Sequence, residues 1–151
     1  MAEPDSGNHL ERNASELARL SALAGRLQEC GGQLALSDGW TGSAVLAHLA
    51  FWDRFVVARW DAYHRDGVII ELPSAHLDLV NAAGLPMWRA LDLDEAVAQA
   101  VAAASEVTER IASLGGEAVS HARSTHRPAM LDRSLHWSPH LDQLAGALPV
   151  R

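Results

Sequence analysis

Two histidines near the end of the chain, His136 and His140, have the spacing of metal ligands on one helix. Residues four apart on an α-helix lie one above the other on the same face. Gln143, three residues after His140, falls on that face as well. Imidazole nitrogens bind zinc, nickel and other divalent ions. The pair therefore indicates part of a metal site, to which a neighbouring helix would add a third ligand.

His48 is the candidate for that third ligand. It stands one residue before Leu49, on the shoulder of the apolar stripe of another predicted helix. Three protein ligands leave a fourth position open for water or substrate, which is the arrangement of catalytic rather than structural metal sites. Spacing along the chain does not show that the two helices face each other. A chain with eight histidines also produces such a pair by coincidence, so an incidental pair remains the alternative.

Composition limits the class of protein. The chain has 151 residues, of which 48% are apolar, and a formal charge of −7. These values predict one folded domain over residues 1–151, with residues 1–9 as a flexible arm. The negative charge disfavours nucleic acid as a partner, and the lack of a long apolar run or a secretory signal predicts a cytoplasmic protein that does not enter membranes. The single cysteine, Cys30, excludes an internal disulfide and is interpreted as a structural thiol.

Apolar residues at helical spacing predict an all-α fold with four long helices. The first of these helices covers residues 10–30, with Leu10 starting its apolar stripe and Gly31 as its stop. The others are a segment from a Thr41 cap to residue 63 or 64, a segment from an Asp92 cap to residue 114, and the end of the chain after a cap at Asp132 or Ser134. Residues 65–92 form a long connection with a short helix over 74–83. Residues 117–131, with His121 and His126, are predicted to be a polar loop.

Several polar residues are candidates for supporting roles, each with a plainer alternative. Arg133, three residues before His136, is placed to hold a substrate carboxylate in a bidentate manner, or to form a surface salt bridge. Gln143 is a candidate for a hydrogen bond to a ligand, or an exposed polar residue. Asn81 and Asp78, on the predicted short helix, are candidates for the pocket wall, or capping or surface residues. Asp53 stands five residues after His48, roughly 140° around the helix, and is a poor co-ligand.

Three strings in the sequence resemble one superfamily. GWTGSAVLAHLAFWDR, residues 39–54, resembles the second-helix signature of DinB/YfiT-like proteins, in which a Trp-Thr cap precedes a ligand histidine. HWSPHLDQLAGAL, residues 136–148, resembles the closing H-x-x-x-H-L-x-Q-[IL] motif of those proteins. VNAAGLPMWRAL, residues 80–91, resembles members related to the N-terminal domain of mycothiol-dependent maleylpyruvate isomerase. The strings occur in the family's order and span most of the chain.

The resemblance implies a four-helix bundle of up-down-down-up topology, with a short extra helix between helices 2 and 3, and a homodimer. It implies a zinc or nickel ion held by His48, His136 and His140, and a low-molecular-weight thiol such as mycothiol as a second cofactor. The implied activity on a small molecule is that of a thiol-dependent S-transferase or isomerase. A hydrolase that uses metal-bound hydroxide is the first alternative. A non-catalytic dimeric binding or stress module with a degenerate site is the second.

Two departures from the family pattern matter. Ser138 and Pro139 stand between the two terminal histidines, where relatives more often have polar helix formers. Proline inside a helix removes one hydrogen bond and crowds the preceding turn, at a cost of about 3 kcal/mol. The sequence therefore predicts a kink or loosened turn that misdirects one imidazole. The all-histidine ligand set is also closer to the YfiT-like hydrolase type than to the isomerase type, whose ligands include a carboxylate.

Overall fold

Six α-helices make up most of the computed structural model, which describes residues 8–30 and 34–150. They are α1 (His9–Glu29), α2 (Gly42–Asp66), α3 (Ser74–Ala90), α4 (Leu93–Ala112), α5 (Gly116–Ser124) and α6 (Ser134–Ala147). Short 3-10 turns at Ser37–Gly39 and Pro128–Met130 precede α2 and α6. In the described ranges there is no strand, only one isolated β-bridge between Ala35 and Thr41. The all-α prediction is therefore confirmed.

The core lies between α1, α2, α4 and α6. Helices α4 and α6 each pack against both α1 and α2, so these four helices form a bundle, and α3 packs on the outside of α2. The apolar stripes predicted for α2 and α6 are buried in this core: Val45, Leu49, Trp52, Val56, Trp137, Leu141, Leu144 and Leu148. The packing is compatible with a four-helix bundle, and the up-down-down-up order of its helices stays a prediction.

The caps at the N-termini of α2 and α4 confirm where these two helices were predicted to begin. The Thr41 hydroxyl accepts a hydrogen bond from the Ala44 backbone N–H at 3.1 Å. The Asp92 carboxylate accepts one from the Glu95 N–H at 2.8 Å. Each cap satisfies a backbone donor that has no partner inside the helix. The Thr41 cap fixes where α2 begins and therefore where His48 lies along this helix.

Two segments differ from the prediction. Helix α3 extends to Ala90, well beyond residue 83, because the helix continues through Pro86. Helix α5 occupies part of residues 117–131, which were predicted to be a polar loop. Ala118 and Ala122 lie four apart on α5 and are buried against the core, which stabilises this short helix.

The ends of α1 also differ in part. The helix begins at His9, so residue 9 is not part of an arm, and Leu10 is 43% exposed rather than in the core. Residues 1–7 of the predicted arm, and Gly31 as a helix stop, lie outside the described residues. Cys30 follows the helix directly and is exposed. Over the parts of the chain that the structure describes, no helix combines the length and apolar character needed to cross a membrane.

Candidate metal centre

The three predicted ligand histidines converge. His48 comes from α2, and His136 and His140 come from α6. Their ligand nitrogens all lie within 4.8 Å of one another, and the Nε2 atoms of His48 and His136 are 3.1 Å apart. Two nitrogens bound tetrahedrally to one zinc ion would be about 3.3–3.4 Å apart, from Zn–N distances of about 2.0–2.1 Å. The donor set and its spacing fit a divalent ion, so this cluster could bind one.

Pro139 does not separate the two histidines of α6. The helix is continuous over Ser134–Ala147, and the ring centroids of His136 and His140 are 5.1 Å apart. At this position the proline removes one helix hydrogen bond, the one that would go to the Leu135 carbonyl. The predicted misdirection of one imidazole is therefore not observed.

Burial keeps the imidazoles unprotonated. It lowers the pKa of His48 to about 3 and the pKa of His136 to about 2, and it also lowers the pKa of His140. Neighbouring imidazoles and the positive charge of Arg133 act in the same direction on His48 and His136. Because neutral imidazole is the form that binds metals, the cluster is in its ligand form at neutral pH.

Acid is expected to destabilise the metal-free protein. His48 and His136 titrate near pH 6.5 in an unfolded chain, but burial lowers their pKa to about 3 and about 2 in the folded one. Between these values the unfolded state binds more protons, so the free energy of unfolding falls as pH is lowered from about 6.5, by up to about 1.4 kcal/mol per pH unit for each histidine. Urea unfolding of chelator-treated protein across this range measures the slope. A His48→Gln variant should show a smaller slope, and an unchanged slope would contradict the prediction.

Arg133 lies behind His136 and is held inside the protein. Its side chain is 4% exposed, and its Nη2 donates to Nδ1 of His136 at 3.2 Å. Its Nη1 donates to the Ala129 carbonyl at 3.0 Å, and its Nε donates to Asp53 Oδ1 at 2.9 Å. These bonds use three of the five N–H groups of the guanidinium, and Arg133 also lines the cavity, so its bond to a substrate carboxylate stays a prediction. Within the structure it holds the ring of His136.

The bond from Arg133 also determines where the His136 ring carries its hydrogen. A guanidinium only donates, so Nδ1 accepts and the hydrogen of the neutral ring is on Nε2, facing the Nε2 of His48. A neutral ring that binds a metal through Nε2 carries its hydrogen on Nδ1, where it can no longer accept from Arg133. Metal binding through these Nε2 atoms therefore requires the hydrogen bond between Arg133 and His136 to break.

Asp53 is the counter-ion that holds Arg133 in place. Its side chain is fully buried, and its two oxygens also accept from Nε1 of Trp137 at 3.0 and 2.9 Å. Burial raises the pKa of the Asp53 carboxyl, and Arg133 and Trp137 oppose this because both stabilise the carboxylate. Asp53 is not among the converging ligand atoms, in agreement with its prediction as a poor co-ligand.

Three tryptophans surround the His48 ring. The centroids of Trp40, Trp52 and Trp88 lie 5.4, 6.5 and 5.3 Å from the centroid of His48. Trp40 precedes α2, Trp52 is one turn further along α2, and Trp88 reaches across from α3. These rings exclude water from His48, which explains why burial is the largest cause of its lowered pKa.

Gly84 of α3 gives Trp88 the space to lie against His48. A Cβ added at Gly84 would be 2.4 Å from the Trp88 ring, closer than van der Waals contact allows. Gly84→Ala is therefore expected to move the ring and lower the free energy of unfolding by about 1–3 kcal/mol. Chemical denaturation with near-ultraviolet circular dichroism measures both effects.

Gly25, in the interior of α1, provides the matched control. A Cβ there would meet no atom within 4 Å, so Gly25→Ala should stabilise the protein by up to about 1 kcal/mol through helix propensity alone. If Gly84→Ala also stabilised the protein, the proposed contact with Trp88 would be wrong.

All three histidines line a cavity of about 690 Å³, within the size range of small-molecule sites. Asn81 and Gln143 line it as well, which places both in the pocket wall. The Asn81 side-chain oxygen accepts from Nε1 of Trp52 at 2.9 Å. A side-chain hydrogen bond with Gln143 raises the pKa of His140, opposing the effect of burial. The other candidate on α3, Asp78, is exposed and does not line the cavity.

Two arginines in the cavity wall, Arg59 and Arg127, were not found from the sequence. A signal for Arg59 existed, because it follows His48, Trp52 and Phe55 at spacings of four, three and four and so continues their face of α2. There was no signal for Arg127, which follows α5 in a segment that was predicted to be a polar loop.

Comparison with protein-family models, curated proteins and solved structures finds no significant match. The fold and the site therefore define the class of protein by themselves. It is an all-helical bundle protein with a three-histidine cluster that could bind a metal ion, at the wall of a cavity large enough for a small molecule.

Proposed function

We propose that this protein is a metal-dependent enzyme of the DinB/YfiT-like superfamily, acting on a small molecule with a low-molecular-weight thiol such as mycothiol. The observation that carries the proposal is the convergence of three unprotonated imidazoles from α2 and α6 at a cavity wall. His48, His136 and His140 would hold the ion, with zinc or nickel as the expected metals. The up-down-down-up bundle, the homodimer and the cytoplasmic location belong to the same proposal.

The residues of the chain would divide the work as follows. The three imidazoles would hold the ion at the cavity wall, and three protein ligands would leave a divalent ion free to bind water or substrate. When bound, a divalent ion acts as a Lewis acid that lowers the pKa of a thiol or a water molecule. Trp40, Trp52 and Trp88 exclude bulk water on the His48 side, which strengthens electrostatic interactions in the site.

Positioning falls to the residues behind and beside the ligands. Asp53 and Arg133 form a buried ion pair behind His136, and the bond from Arg133 to its Nδ1 holds the ring in the metal-free protein and would open when a metal is bound through Nε2. Gln143 lies with His140 in the cavity wall and raises its pKa, so it is the candidate for an outer contact to that ligand. Such outer contacts usually affect metal affinity or activity by about 10–100-fold when removed.

A hydrolase is the second candidate, and the ligand set favours it. All three converging ligands are histidines, and no carboxylate of the described residues joins the cluster. An all-histidine set leaves the bound ion with its full positive charge, which favours activation of water. The buried carboxylate of Asp53 is paired with Arg133 and is not free to become a ligand.

Product analysis with and without thiol separates these functions. Zinc-loaded and nickel-loaded protein would be incubated with an electrophilic aryl halide and with an ester, each in the presence and absence of mycothiol. A thiol transferase consumes thiol in proportion to product and gives no product without it. A hydrolase acts on the ester regardless of thiol. If zinc binds but neither reaction exceeds that of His140→Ala, the protein is better described as a binding module.

A further inference from the structure

The cavity has a second group of polar residues besides the histidine cluster. Arg59 of α2 and Arg127, which lies between α5 and the 3-10 turn before α6, both line it. His126 lies beside Arg127 and has a φ of 52°, in the left-handed region that non-glycine residues rarely adopt. Strained residues of this kind concentrate at binding sites. The same cavity therefore joins a metal-type cluster to a pair of guanidinium groups.

The Arg59 guanidinium is anchored but not fully bonded. Its Nε donates to the Ile70 carbonyl at 2.7 Å, and its central carbon lies 5.8 Å from the centre of the Phe55 ring. Among the described residues, its two terminal nitrogens have no hydrogen-bond partner within the chain. Burial and the nearby charge of Arg127 lower the pKa of Arg59, so the two guanidinium groups are close enough to repel each other. Donors fixed in this way are available to a ligand.

The Arg127 guanidinium likewise has only part of its hydrogen-bonding capacity used within the chain. Its Nη2 forms an ion pair with Glu71, whereas its Nε is buried and has no partner within the described part of the chain. A buried donor without a partner is destabilising unless a ligand or water satisfies it. Glu71 supplies one carboxylate for two guanidinium groups, and Arg133 is already neutralised by Asp53. The Arg59–Arg127 pair therefore carries one positive charge more than the carboxylate that contacts it, in a cavity that the carboxylate of Asp38 also lines.

We infer that Arg59 and Arg127 form an anion subsite, and that the ligand of this cavity is a small molecule with an apolar body and one carboxylate or phosphate group. Guanidinium groups bind both anions with paired, charge-assisted hydrogen bonds. Trp52, Phe55 and Met130 line the cavity and supply apolar surface for the body of the ligand. The anion is held at the arginines while the rest of the molecule lies against the histidine cluster. The role of this ligand as substrate depends on the proposed function, but its binding does not.

Calorimetric titration of chelator-treated protein with hexanoate and with inorganic phosphate tests the subsite without a metal. Hexanoate offers an apolar chain and a carboxylate, and phosphate offers charge alone. Arg59→Gln and Arg127→Gln should each weaken binding at least about tenfold, because each removes hydrogen bonds to a charged group. Glu71→Gln should strengthen it, because the competing carboxylate is removed. His76→Ala, which removes an exposed histidine of α3 outside the cavity, should leave anion binding unchanged.

Arg54→Gln is the matched control, since it makes the same charge change on α2 but does not line this cavity. If it weakens binding as much as Arg59→Gln, only net charge is at work and the inference is overturned. Should either glutamine variant fail to fold, as judged by circular dichroism, Glu71→Gln decides, and unchanged affinity in that variant overturns the inference.

The outcome is separable from that of the metal proposal. If anion binding depends on the two arginines but the protein binds no zinc, the anion subsite stands and the metal-enzyme proposal fails. If the protein binds zinc but its affinity for hexanoate does not depend on the two arginines, the metal proposal stands and the anion subsite is ruled out. If the protein binds phosphate but not hexanoate, the inference that the ligand has an apolar body is overturned.

Discussion

His140→Ala is expected to lower the affinity for zinc by more than about 100-fold. Removal of an outer contact to a ligand already costs about 10–100-fold, and this substitution removes a ligand itself. His48→Ala should have a similar effect. His48 is the ligand that α2 contributes, and the described residues offer no other ligand at the cluster to replace either histidine. Competition with a chromophoric chelator, on protein purified without a histidine tag, measures the change.

The control is His76→Ala, which removes an exposed histidine of α3 that does not line the cavity. Zinc affinity should be unchanged in that variant. Zinc should also raise the free energy of unfolding of the wild type, by about 2.7 kcal/mol at a free concentration of 100 times Kd, and this gain should vanish in His140→Ala. If neither His48→Ala nor His140→Ala alters zinc binding, the transferase and the hydrolase proposals fail together.

Arg133→Met is expected to lower the free energy of unfolding by about 3–5 kcal/mol. The substitution leaves the carboxylate of Asp53, which is fully buried, without its counter-ion. Asp53→Asn should be similarly destabilising, because it leaves the Arg133 guanidinium as an unpaired buried charge. In the double variant no unpaired charge remains, so its loss of stability should be smaller than the sum of the two single losses. Urea unfolding of the four proteins completes the cycle.

A second arginine–aspartate pair provides the comparison. Arg19 and Asp142 are 2.5 Å apart, and their side chains are 34% and 69% exposed. Water solvates both charges of such a pair, so Arg19→Met should cost no more than about 1 kcal/mol. Equal effects of Arg19→Met and Arg133→Met would show that burial of the Asp53–Arg133 pair does not have the importance assigned to it.

The helices that carry the site, and the faces on which the ligands lie, follow from the amino-acid sequence alone. Local rules suffice for this: the caps at Thr41 and Asp92 mark helix starts, and a spacing of four places His136 and His140 on one face. The third ligand, His48, was a candidate from the shoulder of an apolar stripe. Its meeting with the other two depends on which helices are neighbours, and no local pattern states that.

The residues that lie behind and around the ligands could be identified only from the tertiary structure. Asp53 and Arg133 are 80 residues apart in sequence and meet because α2 packs against α6. Trp88 reaches His48 because α3 runs on through Pro86 and Gly84 leaves room for its ring. Arg127 reaches the cavity after α5, a helix that is stabilised by burying Ala118 and Ala122 rather than by a strong local signal. Helix faces follow from residue spacing, whereas partners across the core follow from packing, which depends on the whole chain at once.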